Sequence, residues 1–210
     1  MILSSLKCLI FCCFFITALL AKNPCDWVDP FIGTGDHGHT FPGAALPNGM
    51  VQLSPDTRVS GWDACAGYHY SDNVILGFSH THLSGTGVGD YGDVLIMPFS
   101  GKIDLLHKEG IERYQTYSSP FDHSDETAEP GYYQVRLARH DINVELTVTE
   151  RTGFHKYEFS SDENAGIVVD LSHLIPASNS GTTFVELRAV NDHEIEGHQR
   201  TQGWATNHHV

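Results

Sequence analysis

Between Asp26 and Asp93 the chain has no glutamate; every acid there is an aspartate, and the first glutamate is Glu109. Short carboxylates suit turns, caps and hydroxyl binding better than reaching across a cleft as general acids. The segment therefore reads as recognition more than proton transfer. Positive charge is also scarce, with 12 Lys and Arg against 26 Asp and Glu and a formal net charge of −14. Such a surface repels polyanions and anionic headgroups, which excludes nucleic acid and a membrane surface as partners and favours a neutral or cationic ligand. Of five cysteines, Cys8, Cys12 and Cys13 lie in the apolar N-terminal stretch, leaving Cys25 and Cys65. Two cysteines make no disulfide framework, and whether they pair depends on a Cα separation that sequence does not reveal. There is no G-x-S-x-G elbow and no P-loop. Gly85, Gly87 and Gly89 alternate without the following helix that a nucleotide site needs.

Residues 1–21 read as a secretory signal peptide: Lys7 supplies the positive start, residues 8–20 are apolar, and Ala18 and Ala21 offer small residues for cleavage. The apolar run falls short of the ~20 residues that span a bilayer as a helix, so an uncleaved anchor is the weaker reading. No cysteine near it shows the small-residue pattern of a lipidated terminus. The protein is expected to be exported, to the periplasm, cell surface or medium, with a mature chain from about residue 22. Residues 22–210 suffice for one domain with its own core.

Short apolar runs recur at 50–53, 74–78, 94–99, 102–106, 132–137, 142–148, 154–159, 167–171 and 184–190, with turn residues between them. In the second half Tyr133, Val135 and Leu137, then Ile142, Val144, Leu146 and Val148, alternate with polar residues, as half-buried antiparallel strands require. Starts spaced by roughly 8–12 residues predict an all-β fold, a two-sheet antiparallel β-sandwich with long Gly-rich loops. No segment shows sustained helical periodicity, and residues 110–131 read as an exposed polar loop. The C-terminus stops where another alternation begins, which predicts a domain truncated at a strand, with an uncovered sheet edge and apolar face.

Thirteen of the twenty glycines lie between Gly33 and Gly101, among histidines, aspartates and aromatics that core packing does not demand. Glycine is chosen where backbone must turn sharply or let something approach. His37 with His39, and His80 with His82, form H-x-H pairs. In a strand each pair would share a face and could hold a metal, with Asp36, Asp63, Asp90 or Asp93 as third ligand. Equally, these imidazoles can bond loop backbone. Trp62 and Asp63, in GWD, pair a flat apolar ring for a sugar's C–H face with an acceptor for adjacent hydroxyls. The other reading is a core tryptophan beside a turn aspartate.

At these residues the sequence resembles glycoside hydrolase family 92, calcium-dependent exo-acting alpha-mannosidases. The blocks VDPFIGTGDHGHTFPGAALPNGMVQLSPDTR, GWDACAGYHYSD and GFSHTHLSGTGVGDYGDVLIMP carry the likeness, with weaker similarity at ERTGFHKYEF and GWA. The resemblance implies an N-terminal β-sandwich that packs on a larger (α/α)6 domain, with the active site between them. It implies inverting hydrolysis of terminal alpha-mannosides, alpha-1,2 foremost, which needs an acid and a base about 6.5–9.5 Å apart. Calcium, the implied cofactor, would hold the sugar's vicinal hydroxyls. The catalytic acid and base and the main calcium ligands belong to the helical domain, which this chain lacks, so no catalytic and no metal residue is assigned here. The chain is then one wall of a pocket for mannose-containing glycans, inactive alone. Trp62 is expected as stacking platform, Asp63 as hydroxyl acceptor, Gly33, Thr34 and Gly35 as close backbone approach and Cys65 as pocket lining, with His80 and His82 supporting the loops. A stand-alone carbohydrate-binding module and a cupin-like metalloprotein using the paired histidines are the alternatives.

Overall fold

The computed structural model describes residues 23–106, 108–161, 164–175 and 180–210. The expected signal segment 1–21 lies outside them. In chain order the elements are β1 (Ala44–Ala45), β2 (Gln52–Asp56), β3 (Val74–Ile75), β4 (Gly77–Ser79), β5 (Leu95–Phe99), α1 (Gly110–Tyr117), β6 (Ser119–Pro120), β7 (Glu126–Glu129), β8 (Tyr132–Leu137), β9 (Ile142–Val148), β10 (Gly153–Phe159), β11 (Gly166–Asp170), β12 (Gly181–Asn191), β13 (Glu194–Gln202) and β14 (His208–His209). A five-stranded sheet β1-β2-β4-β5-β11 faces a four-stranded sheet β10-β9-β8-β7, and smaller sheets β12-β13-β14 and β3-β6 flank them. Every pairing is antiparallel.

Alternation decides what lies between the two main sheets. In β8 and β9 every second residue is buried, and the register sets Tyr133 opposite Leu146, Val135 opposite Val144 and Leu137 opposite Ile142. These apolar pairs stack against Leu53, Phe78, Leu95 and Met97 of the facing sheet in one continuous core. The all-β sandwich expected from the sequence is thus present, with β1 and β2 packed on β9. Shifting either strand by one residue would turn its apolar set to solvent, so register is strongly specified.

Two local expectations are corrected, and the open question of cysteine pairing is answered. Residues 110–131, read as an exposed loop, instead hold helix α1 and strands β6 and β7, with Tyr114, Tyr117, Phe121 and Glu126 buried; the anchors of α1 are not an apolar stripe but two tyrosines. Tyr117 donates its hydroxyl to Asp170 Oδ2 at 3.0 Å, the Tyr114 hydroxyl lies 2.6 Å from His173 Nδ1, and Arg113 pairs with Asp170 at 2.8 Å, while Ile111 is exposed. Residues 102–106, read as strand, are irregular, with Leu105 and Leu106 exposed. Cys25 and Cys65 are both free, one exposed and one buried. The long β12-β13 hairpin leaves Phe184, Val185, Leu187, Val190 and Ile195 exposed.

Candidate functional site

The loop after Phe31 is wound on itself by its glycines. Gly33 has a φ of +84°, and its carbonyl accepts the Thr40 N–H; a Cβ on Gly38 would stand 2.1 Å from that same carbonyl oxygen, so no side chain fits there. Thr34 is buried, donating its hydroxyl to the Phe31 carbonyl and accepting the Tyr70 N–H at 2.9 Å. Asp36 and His39 hold positive φ values of 48° and 53°, a conformation that costs non-glycine residues energy. This coil, not a strand, brings His37 and His39 to one place.

That place is the corner made by Trp62 and Asp63. They open a short 3-10 turn, Trp62–Ala64, entered through Gly61 at φ +83°. The indole Nε1–H donates to the Gly87 carbonyl at 2.9 Å, fixing the ring although 58% of Trp62 is exposed. His39 meets the ring edge-on at a centroid distance of 4.4 Å, and His37 lies at 5.0 Å. Asp63 Oδ1 accepts from His37 Nδ1 at 2.7 Å and from His39 Nε2 at 3.2 Å. The hydrogen bond and charge of Asp63 raise the His37 pKa above its ordinary value, and the bond from His37, then that from His39, holds the Asp63 carboxyl below the usual range. Behind the corner, Cys65 donates its thiol to the Trp62 carbonyl, and burial pushes that thiol's pKa up.

Trp62, Asp63 and Cys65 are therefore contiguous, with Gly33, Thr34 and Gly35 in the coil that delivers the two histidines. His37, His39 and Gly87 complete the corner and were not among the expected sugar contacts; the H-x-H spacing was the available signal for the first two. His80 and His82 do not reach it. His80 Nδ1 donates to the Val94 carbonyl at 2.7 Å, and its Nε2 shares a hydrogen bond with His155 Nε2 at 3.1 Å. Burial lowers both imidazoles, His155 down to about 3. His80 and His82 border a cavity of about 670 Å³ that also touches Gln52, Tyr91, Arg151 and His208 but none of the Trp62 corner.

His82 belongs to a buried polar chain that sequence reading missed. Asp56, with no exposed surface, receives His82 Nε2 on Oδ1 and His173 Nε2 on Oδ2, both at 2.9 Å, while His82 Nδ1 faces the Gln52 carbonyl at 2.8 Å. Burial alone would raise the Asp56 pKa; the charges and hydrogen bonds of the two histidines outweigh it and hold the carboxyl well below its usual range. Gly67, at φ +75°, makes room, since a Cβ there would lie 1.9 Å from Asp56 Oδ1. The chain ties β2 to the segment after β11 and, through Tyr114, to α1.

The fold matches known proteins. An alpha-mannosidase of family 92 from Bacteroides thetaiotaomicron, solved with mannoimidazole, superposes with a TM-score of 0.82 at 37% identity, covering 90% of this chain and 24% of that one. An inverting mannosidase of the same family and organism matches with a TM-score of 0.60 at 27% identity over 86% of this chain and 25% of that one. A protein of Arthroderma benhamiae described as an uncharacterized secreted glycosidase is 32% identical over 155 residues, 70% of this chain and 20% of its own length. The chain thus spans about a fifth to a quarter of these relatives. Because the profile of the glycosyl hydrolase family 92 N-terminal domain also matches residues 27–210, the chain belongs to that family of glycosidases and alpha-mannosidases, as its N-terminal β-sandwich domain.

Proposed function

We propose that this chain forms one wall of the mannose pocket in an exported, inverting alpha-mannosidase that removes terminal alpha-mannosides, alpha-1,2 foremost. The observation that carries the reading is the Trp62 corner: an indole pinned at Nε1 yet open on its face, beside a carboxylate whose two imidazole bonds both fall on Oδ1. A sugar ring stacks its C–H face on such an indole, and Asp63 Oδ2 accepts from its hydroxyls. Gly33 and Gly35 allow backbone approach. Thr34 and Cys65 act from behind, since both are buried with their polar atoms bonded internally. His80 and His82 steady the loops through β9's neighbour β10 and through Asp56. Export is supported by the fungal relative's description as secreted, and no helix among the described residues is long and apolar enough to cross a membrane.

The catalytic acid and base belong, in this reading, to a helical domain packed against the sandwich. The exposed apolar residues of the β12-β13 hairpin are surface that such a domain would cover. The calcium implied by family likeness does not fit the donor set found here: two imidazole nitrogens and one carboxylate do not suit a cation that takes six to eight oxygens. Its ligands are assigned to the helical domain.

Calorimetric titration of the chain with mannose tests the pocket wall. Saturable binding that Trp62→Ala abolishes without lowering the melting temperature by more than a few degrees is expected; binding indifferent to that substitution sinks the reading. The chain alone should release no mannose from an alpha-mannoside, whereas a longer chain bearing the helical domain should. It should also bind a hydrophobic dye through the hairpin.

A further inference from the structure

The notable feature of the Trp62 corner is that three side chains of metal-ligating type converge on one point from segments 24 to 26 residues apart. His37 Nδ1, His39 Nε2 and Asp63 Oδ1 all lie within 4.8 Å of one another, the two bonded pairs at 2.7 and 3.2 Å. Around a tetrahedral zinc with bonds of about 2.0–2.1 Å, ligand atoms stand roughly 3.3 Å apart. His37 is mostly exposed, so its side-chain torsions are free to adjust the 2.7 Å contact toward that spacing. His39, by contrast, is buried against the indole and held there by a left-handed backbone. One ligand is thus preorganised, one is half-free, and the outer side of the cluster faces solvent.

We propose that His37, His39 and Asp63 form a binding site for a divalent transition-metal ion of the zinc type, with its remaining coordination position open to water or to a hydroxyl of a bound ligand. The donor set decides the class: two imidazoles and one carboxylate select zinc, cobalt, nickel or copper over calcium or magnesium, which take oxygen ligands. Three protein ligands with an open side are the pattern of sites that engage a ligand, whereas structural zinc sites are closed by four. The inference is separate from the sugar reading; mannose titration in the presence of a chelator tests the latter without touching this one.

The neighbouring indole makes the site observable. The chain has three tryptophans; in a Trp27→Phe, Trp204→Phe background only Trp62 reports, and a paramagnetic ion held by imidazoles whose ring centroids are 4.4 and 5.0 Å from it quenches its fluorescence. Cobalt(II) titrated into the metal-free full chain should give one equivalent of saturable quenching together with a visible absorption band, and zinc should reverse both. His37→Ala, whose exposed position leaves folding intact, and Asp63→Asn should each weaken binding at least tenfold, while His209→Ala, which breaks a histidine pair with His198, should leave it within twofold. Absence of saturable one-to-one binding, retention of it in His37→Ala, or displacement of cobalt by millimolar calcium would each overturn the proposal.

Discussion

In the meander β8-β9 the buried positions are filled by Tyr133, Val135, Leu137, Ile142, Val144, Leu146 and Val148. Between residues 31 and 93, Thr34, His39, Ser54, Asp56, Thr57, Ser79, His82, Asp90 and Asp93 are buried alongside apolar residues such as Leu53, Tyr68, Ile75 and Phe78. The first region is held by apolar burial, which is non-directional and tolerates any partner of suitable size. The second adds to its apolar core a set of hydrogen bonds and ion pairs, each of which needs a particular partner at a particular angle. A recognition site needs the second kind of order, because loops cannot be fixed by apolar packing while presenting polar atoms to a ligand.

The largest expected effect separates these two modes. Asp56→Ala leaves His82 and His173 without their shared carboxylate in a buried place, and removal of one partner from such a set costs about 3–5 kcal/mol. Leu146→Ala, which only opens a cavity beside Tyr133, should cost roughly 3 kcal/mol. Urea denaturation measures both. A loss below about 1 kcal/mol for Asp56→Ala would mean that the loop half is not held by its polar chain.

Acid should act next, and in two windows. Burial lowers the His155 pKa from 6.5 to about 3, so the unfolded chain takes up a proton below pH 6.5 that the fold refuses until about pH 3. The stability from this group is full above pH 6.5 and falls across that interval, by up to about 1.4 kcal/mol per pH unit. Asp56, whose carboxyl is lowered from 3.8, adds its own loss only as pH drops below that value. The melting temperature of His155→Phe should vary less with pH than that of the parent between pH 6.5 and about 3 and equally below; equal slopes throughout would remove His155 as the cause. The smallest effect belongs to the meander's surface. Lys156→Ala breaks an exposed pair with Glu145 and should leave the urea midpoint almost unchanged, with any small shift erased by salt.

The strands from Tyr132 to Phe159 were legible almost to the residue because a period of two is written locally. Helix α1 was not, because its anchors are tyrosine hydroxyls whose acceptors lie beyond residue 169. GWD and the first H-x-H were legible as separate chemistry-bearing motifs, with Asp63 one of four candidate partners for the histidines; which aspartate meets them was not legible, because a strained glycine coil and not a strand's shared face brings them together. The second H-x-H pair illustrates the reverse, since identical spacing sends His80 to His155 and His82 to Asp56.

By itself, then, the sequence determined which positions turn inward along each strand, where the backbone must coil, and that the charge is unfit for polyanions; each follows from neighbouring residues and their alternation. Only the tertiary structure decided that Asp63 would receive two imidazoles and that Asp56 would meet a histidine 117 residues away. Such contacts arise when sheets close on one another, and a directional bond between distant segments leaves no periodic mark along the chain.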